Sequence, residues 1–360
     1  MKIGIIGTRG IPNRYGGFEE LAEHLAVALV HAGHQVAVYN PSFHPYSENH
    51  YKGVEIIRKT DPNMLGSFSQ FIYDLLCILD TRDRGFNVII QLGYTSSSVW
   101  HFLLPRKSKL ITNMDGLEWK RSKYSKPVRA FLQYAEALAV KHGGTLVADS
   151  PVIHEYLRKK YEKLSAYIPY AAEVFFNPDP RALRDYGVEA ENYYLLIARF
   201  EPENHIETII QGYLLGSTDA PLLLIGNWDN AYGKKLRKKY ASERIIYAHS
   251  VYNKKHTNNL RYYSKLYFHG HSVGGTNPSL LEAMACSAKI CAHKNPFNQY
   301  VLGENAFYFS NPEDISGIIQ SIETRNAGAE FINPNLQRIE TEYAWDRIIE
   351  GYERLIRSNF

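Results

Sequence analysis

Cysteine is scarce, with three in 360 residues, Cys77, Cys286 and Cys291, an odd number without C-x-x-C spacing. That argues against a disulfide framework and a cysteine zinc site, and leaves three buried free thiols as the expectation. Long apolar runs are missing too. Nothing approaches the ~18 consecutive apolar residues of a membrane span. The opening MKIGIIGTRG lacks the apolar stretch and small-residue cleavage site of a secretory signal; it is expected to be a first strand, and the protein cytoplasmic. No charge of one sign dominates: 41 Lys and Arg against 37 Asp and Glu give +4, too mild to imply nucleic acid. The glycines Gly4, Gly7 and Gly10 do not make the dinucleotide fingerprint G-x-G-x-x-G, and a Walker lysine is absent. A nicotinamide dehydrogenase is therefore disfavoured.

What is present is ordinary globular composition, 45% hydrophobic and 22% charged, so neither disorder nor a collagen-like repeat applies. The length suggests two domains at one per ~150 residues. Apolar strand-like runs alternate with helix-period segments. Lys2–Ile6, Val36–Tyr39, Val88–Leu92, Leu110–Asn113 and Thr145–Ala148 are expected strands. Helices are expected from Phe18 to a closing Gly33, along a face of Phe68, Phe71, Ile72, Leu75, Leu76 and Leu79, and around Val128–Ala139. Ser150-Pro151 caps a further one. Periodicity fails between Tyr170 and Asn192. It resumes with strands Tyr194–Ala198, Leu222–Ile225, Ile245–His249, Leu266–Phe268 and Ile290–Ala292, separated by helices and followed by two late helices. Unbroken apolar strands fit parallel sheets covered on both faces. The expectation is an α/β protein of two doubly wound, Rossmann-like domains facing across a cleft, with ligands outside the carboxyl ends of the strands.

Four stretches could carry chemistry. Gly7-Thr8-Arg9-Gly10 and Arg14-Tyr15-Gly16-Gly17 lie between the first strand and its helix, where glycines admit φ > 0 and free N–H groups meet an anion; a structural turn explains only some of them. Asn113–Trp119 places Asp115 and Glu118 after a buried strand, as an active-site loop or an Asp-Gly turn. Arg199 ends a strand before Glu201 and Glu203; it could grip a diphosphate or pair with those carboxylates. Phe268–Ala285 runs from a strand through His269, His271 and the turn Gly274-Gly275-Thr276-Asn277 into a helix opened by Asn277-Pro278, with Glu282 one turn in. The two histidines lack a third zinc ligand at recognisable spacing. Two basic clusters, Arg158–Lys160 with Lys163 and Lys234–Lys239, are solvated helix faces or weak attractions for anionic lipid.

With IGTRGIPNRYGGFEE, NMDGLEWKRSKY, ARFEPENHIETII and HGHSVGGTNPSLLEAMA, the chain resembles retaining glycosyltransferases of the GT-B fold and family-four type, in the bacterial rhamnosyltransferase branch. The resemblance implies an acceptor-binding domain at 1–170, a nucleotide-sugar domain at 171–342, and a terminal helix within 343–360 packing back on the first. It implies that Gly16 and Gly17 approach the donor phosphates and that Arg199 contacts the diphosphate. Gly275, Thr276 and Asn277 touch the transferred sugar through their backbone amides, His271 and Gly274 lie with them on the donor side, Glu282 holds the nucleotide sugar ring, and Asp115 lies beside the transferred sugar. Arg14, Tyr15 and Glu118 fall on the acceptor side. The implied reaction moves L-rhamnose from dTDP-rhamnose to a lipid-linked or growing cell-surface polysaccharide, without metal or cofactor and without nucleic acid, with peripheral contact at the inner face of an anionic membrane. Two departures stand out. Gly274 replaces the first Glu of E-x7-E, and Asn204 replaces a phosphate-neutralising lysine. His271, Arg9 and Arg14 are the candidates to compensate. A sugar-nucleotide epimerase and a non-catalytic sugar-nucleotide-binding protein are the alternatives.

Overall fold

A computed structural model describes residues 1–358 except Tyr15, Asn63, Met64, Leu65, Ser67, Ser122 and Tyr252. The contacts divide the chain into two units: Met1–Lys120 with Tyr124–Tyr170 and Trp345–Phe360, and Arg121–Lys123 with Ala171–Ala344.

The first unit runs β1 (Lys2–Ile6), α1 (Gly17–His31), β2 (Gln35–Pro41), β3 (His50–Tyr51), β4 (Val54–Lys59), α2 (Ser69–Arg84), β5 (Val88–Leu92), β6 (Lys109–Asn113), α3 (Lys126–His142), β7 (Thr145–Ala148), α4 (Pro151–Tyr161) and β8 (Ala166–Tyr167). Its sheet has the order β3-β4-β2-β1-β5-β6-β7-β8. Every pairing is parallel except the short β3–β4 hairpin. The central strands are buried along their length, as parallel strands covered on both faces must be. A tight turn after β1 needs Gly7: its φ is +86°, and a Cβ there would sit 2.3 Å from the Leu92 carbonyl oxygen. α1 buries Leu21, Ala22, Leu25, Ala26 and Leu29 and closes at Gly33, with φ +86°. In α4, Ser150 Oγ accepts the Ile153 amide and Pro151 occupies the first turn.

The second unit contains β9 (Tyr194–Ile197), α5 (Ile206–Leu215), β10 (Leu222–Ile225), α6 (Ala231–Lys239), β11 (Ile245–Ala248), α7 (Lys254–Tyr262), β12 (Leu266–His269), α8 (Pro278–Ala285), β13 (Ile290–His293), α9 (Pro296–Leu302), β14 (Phe307–Phe309), α10 (Pro312–Arg325) and α11 (Ile332–Thr341). Its all-parallel sheet has the order β11-β10-β9-β12-β13-β14. The core joins Leu196, Leu222, Leu224 and Phe268 of the sheet to Ile209, Ile210 and Tyr213 of α5 and Ile315 and Ile319 of α10. Each such fully buried apolar side chain contributes ~1.5–3 kcal/mol relative to exposure.

The last helix, α12 (Trp345–Arg357), belongs to the first unit. Trp345, Ile348, Tyr352 and Ile356 form its buried stripe. Trp345 stacks on His24 at 3.9 Å, Asn113 Nδ2 donates to Tyr352 Oη at 3.0 Å, and Glu353 lies 3.0 Å from His34. Tyr343 and Ala344 go with the second unit, where the Tyr343 carbonyl accepts the Ala172 amide at 3.0 Å.

Two expectations are corrected. The carboxyl-terminal part carries β14 and the helices α9 to α12 after β13, more than two late helices. α2 buries another face more deeply than the apolar one read from the sequence. Its buried residues are Ser69, Tyr73, Asp74, Cys77, Ile78 and Thr81, whereas Phe68 is 72% and Leu79 39% exposed. Tyr73, Cys77 and Ile78 form a second apolar set roughly opposite the first, and the sheet packs on that one.

Candidate functional site

In the second unit the site is built from the carboxyl ends of β9 and β12, neighbours in the sheet. After β9 the chain turns so that the Arg199 carbonyl accepts the Glu201 amide (2.8 Å) and Asn204 Nδ2 (2.7 Å). After β12, Gly270 lies against that turn: a Cβ on it would be 1.9 Å from the Asn204 carbonyl oxygen, so only glycine fits. Ser272 donates both its amide (3.2 Å) and its hydroxyl (2.9 Å) to the Glu203 carbonyl, and His205 Nδ1 lies 2.9 Å from the Gly270 carbonyl oxygen. These bonds lock the 199–205 loop to the 270–277 turn. The turn then passes Gly274, at φ +145°, and buried Thr276 to Asn277, whose side chain accepts the Ser279 amide (3.0 Å) as the N-cap of α8. A small cavity opens among His271, Gly274, Gly275, Asn277, Phe297 and Asn298.

The charges differ from several expectations. Arg199 is exposed and has no carboxylate partner among the described residues. Glu201 is taken instead by Lys123 (3.0 Å), and Arg121 stands 3.8 Å from Glu203. Asn204 is buried and turned inward onto the Arg199 carbonyl, so it holds the arginine's backbone rather than facing a phosphate. His271 cannot replace the missing lysine by charge: burial, aided by the Arg199 and Arg121 cations, pushes its imidazolium down to about 3. It is neutral near pH 7 and acts only as a hydrogen-bonding group, its Nδ1 unpartnered and buried. His269 stacks on it at 4.5 Å and is also held neutral by burial. Among the described residues no cluster of three potential metal ligands forms.

Glu282 lies one turn into α8, its Oε2 2.5 Å from Nη2 of Arg261. Arg261 is 3% exposed and also donates to Ser279 Oγ at 3.1 Å, a hydroxyl shared with Tyr267 Oη at 2.9 Å. Arg261 was not anticipated. Asn295 and Asn298 were missed as well. Both side-chain amides donate to the His271 carbonyl at 3.0 Å and to the His293 carbonyl, fixing the base of the turn. Asn295 Oδ1 also accepts the Phe297 and Asn298 amides as the N-cap of α9, and nothing in the sequence tied that cap to the turn.

In the first unit, Gly16 precedes α1 in extended conformation (φ −168°) and Gly17 opens the helix. The preceding loop is pinned from within. Buried Glu19 accepts the Arg9 amide (2.7 Å), and Asn40 holds both the amide and the carbonyl of Ile11. Arg9 is not free to neutralise a ligand, because its guanidinium lies 2.8 Å from buried Asp61. Arg14 is exposed; Tyr15 lies outside the described residues. At the end of β6, Asp115 adopts φ +52° and its amide donates to Asn113 Oδ1 (3.0 Å). Glu118 is half-buried in the following turn. Asp115 and Glu19 both act on buried Tyr170, whose phenol is pushed far up by burial first and by these carboxylates. The loop is anchored through Trp119, whose Nε1 donates to buried Glu136 (3.0 Å). Glu136 also accepts Tyr156 (2.6 Å), Tyr161 (2.7 Å) and Lys160 (2.9 Å).

Each α/β unit carries its candidate residues on loops at the carboxyl ends of a largely parallel sheet, and comparison with known proteins gives the fold. The chain is similar to sucrose-phosphate synthase from Thermosynechococcus elongatus, with TM-score 0.82, 17% identity, and 99% of this chain and 98% of that one covered. It is similar to HepE from Anabaena, solved in complex with UDP-glucose, with TM-score 0.75, 14% identity and 98% of each chain covered. It is also similar to WaaG, a glycosyltransferase involved in lipopolysaccharide biosynthesis, with TM-score 0.71, 10% identity and 100% of each chain covered. The chain has the GT-B fold. Residues 1–173 match a family model described as "Domain of unknown function (DUF1972)". No curated protein matches the sequence.

Proposed function

We propose that the protein is a retaining glycosyltransferase that moves L-rhamnose from dTDP-rhamnose to a lipid-linked or growing cell-surface polysaccharide. The second unit takes the nucleotide-sugar and the first the acceptor. The observation that carries this reading is the bonded pair of loops, which sets an exposed Arg199, in no ion pair among the described residues, beside a glycine turn running into the N-terminus of α8. A cation on a loop whose backbone is bonded to the turn, together with the turn's amide N–H groups, suits a leaving diphosphate, whose charge grows as the glycosidic bond breaks. HepE, which shares the fold, was solved with UDP-glucose, and this supports a sugar nucleotide as donor.

In the proposed reaction the bond from the anomeric carbon to the phosphate oxygen breaks while the acceptor oxygen bonds on the same face. The acceptor's proton passes to the departing phosphate oxygen. Arg199 and the Gly274–Asn277 turn stabilise that phosphate, Glu282 holds the nucleotide's sugar ring, and neutral His271 contributes a hydrogen bond. The roles proposed for the first unit are those the resemblance implies: Gly16 and Gly17 for the donor phosphates, Asp115 for the transferred sugar, and Arg14, Tyr15 and Glu118 for the acceptor. Gly274 in place of a carboxylate suits a 6-deoxy sugar, which presents fewer hydroxyls. A panel of dTDP- and UDP-sugars, each incubated with and without lipid-linked saccharide acceptors, tests the reading by mass spectrometry. Acceptor-dependent product with dTDP-rhamnose and retained anomeric configuration is expected. Conversion of a donor without acceptor would mark an epimerase, and binding without any turnover a non-catalytic protein.

A further inference from the structure

We infer that Lys123 is a positioning residue of the candidate site: by holding Glu201 it leaves the Arg199 guanidinium to the donor's diphosphate. This rests on the nucleotide-sugar reading above. The need for such a residue lies in the composition of the 199–205 loop. Of its Asp, Glu, Lys and Arg side chains, one is a cation, Arg199, and two are carboxylates, Glu201 and Glu203. Asn204, buried and neutral, adds no charge. Left to those side chains, the loop is net negative and a poor frame for an anion. A carboxylate is also the natural partner of an arginine's fork. The bond from the Glu201 amide to the Arg199 carbonyl (2.8 Å) keeps the two residues together.

A distant piece of chain reverses that sign. Arg121–Lys123 belong by their contacts to the second unit. Lys123 Nζ donates to both oxygens of Glu201, at 3.0 and 3.2 Å, the two side chains 33% and 19% exposed. Arg121 stands 3.8 Å from Glu203, with both side chains largely buried. Three cations then face two carboxylates, which leaves a balance of one positive charge. Arg199 is the exposed member of the three that enters no ion pair among the described residues. Burial alone would raise the Glu201 carboxyl. The bond and charge of Lys123 outweigh it, with smaller pulls from Glu203 and from the Arg199 cation, and hold the group below its ordinary value. Arg199 thus lies within electrostatic reach of Glu201 while Lys123 occupies that carboxylate. Without Lys123, Glu201 would close on Arg199 or face the ligand as a bare anion, and either weakens a bound diphosphate. Lys123 acts through Glu201 on Arg199, not by touching the donor itself.

Calorimetric titration of the full chain with dTDP and with UDP tests this, without needing an acceptor or turnover. Lys123→Met should weaken binding of whichever diphosphate the wild type takes by ~10-fold. Lys123→Arg, which keeps the charge, should stay within ~3-fold. Adding Glu201→Gln to Lys123→Met should bring affinity back to within ~3-fold of wild type, because no carboxylate is left to oppose Arg199. A Lys123→Met loss that Glu201→Gln does not relieve would mark a merely structural lysine and overturn the inference. Wild-type binding by Lys123→Met, with Arg199→Ala weakened at least ~10-fold, would overturn it alone and spare the functional reading. If neither diphosphate binds the wild type, or Arg199→Ala binds as wild type, the functional reading falls and the inference with it.

Discussion

Replacing Glu282 by Gln removes the anion that faces Arg261 without changing side-chain size. Arg261 is 3% exposed, and its remaining contacts are Ser279 Oγ at 3.1 Å and Asn258 Oδ1 at 3.4 Å, with Nε unpartnered. Stranding one member of a buried ion pair costs ~3–5 kcal/mol. The Glu282 side chain is 22% exposed, so water reaches the pair and the low end, ~3 kcal/mol, applies. At ~1.4 kcal/mol per tenfold, that is about a hundredfold in the opening equilibrium. Two units unfold without a single two-state transition, so the assay is native-state hydrogen exchange at the β12 and α8 amides. Their protection should drop about a hundredfold in Glu282→Gln. It should recover in part in Glu282→Leu/Arg261→Met, where no charge is left unpaired. Protection within ~3-fold of wild type in the single variant, or a double variant less protected than the single, would refute the pairing.

Three further outcomes are expected. Arg199→Ala should lose more than ~10-fold in turnover, for a transition-state contact of ~2–4 kcal/mol, with unchanged melting because the side chain is exposed; steady-state kinetics with thermal melting checks both. Glu136→Ala should destabilise the first unit by ~3 kcal/mol through four lost donors, and Trp119 emission should shift to the red as its N–H loses its acceptor. Burial pushes Asp74 from 3.8 up to about 6. Between about pH 4 and about pH 6 the folded chain keeps a proton the unfolded chain has released, so this group's contribution is full below that window and falls as pH rises. Asp74→Asn should flatten urea stability across that range.

Much of the fold was legible because each unit relies on short, uninterrupted apolar strands. Lys2–Ile6, Val88–Leu92 and Thr145–Ala148 coincide with β1, β5 and β7, and Asn277-Pro278 opens α8 by the cap its spacing implied. β4 and β14 were missed. The first is a mixed run, Val-Glu-Ile-Ile-Arg-Lys, and the second has only three residues. The more deeply buried face of α2 was unreadable because the helix offers two apolar sets, and periodicity does not say which one a sheet will take. At the site, residue types were visible but partners were not. Whether Arg199 paired with Glu201 was decided by Lys123, which holds that carboxylate from 78 positions earlier. Arg261 carried no signal in the sequence, and only the fold sets it against Glu282.

The most direct test is a crystal structure of the protein grown with dTDP-rhamnose or, failing that, dTDP. The diphosphate should lie beside the Arg199 guanidinium and the amides of Gly274 to Asn277, with the nucleotide's ribose at Glu282. A diphosphate bound elsewhere on the chain, with that turn unoccupied by ligand, would contradict the account.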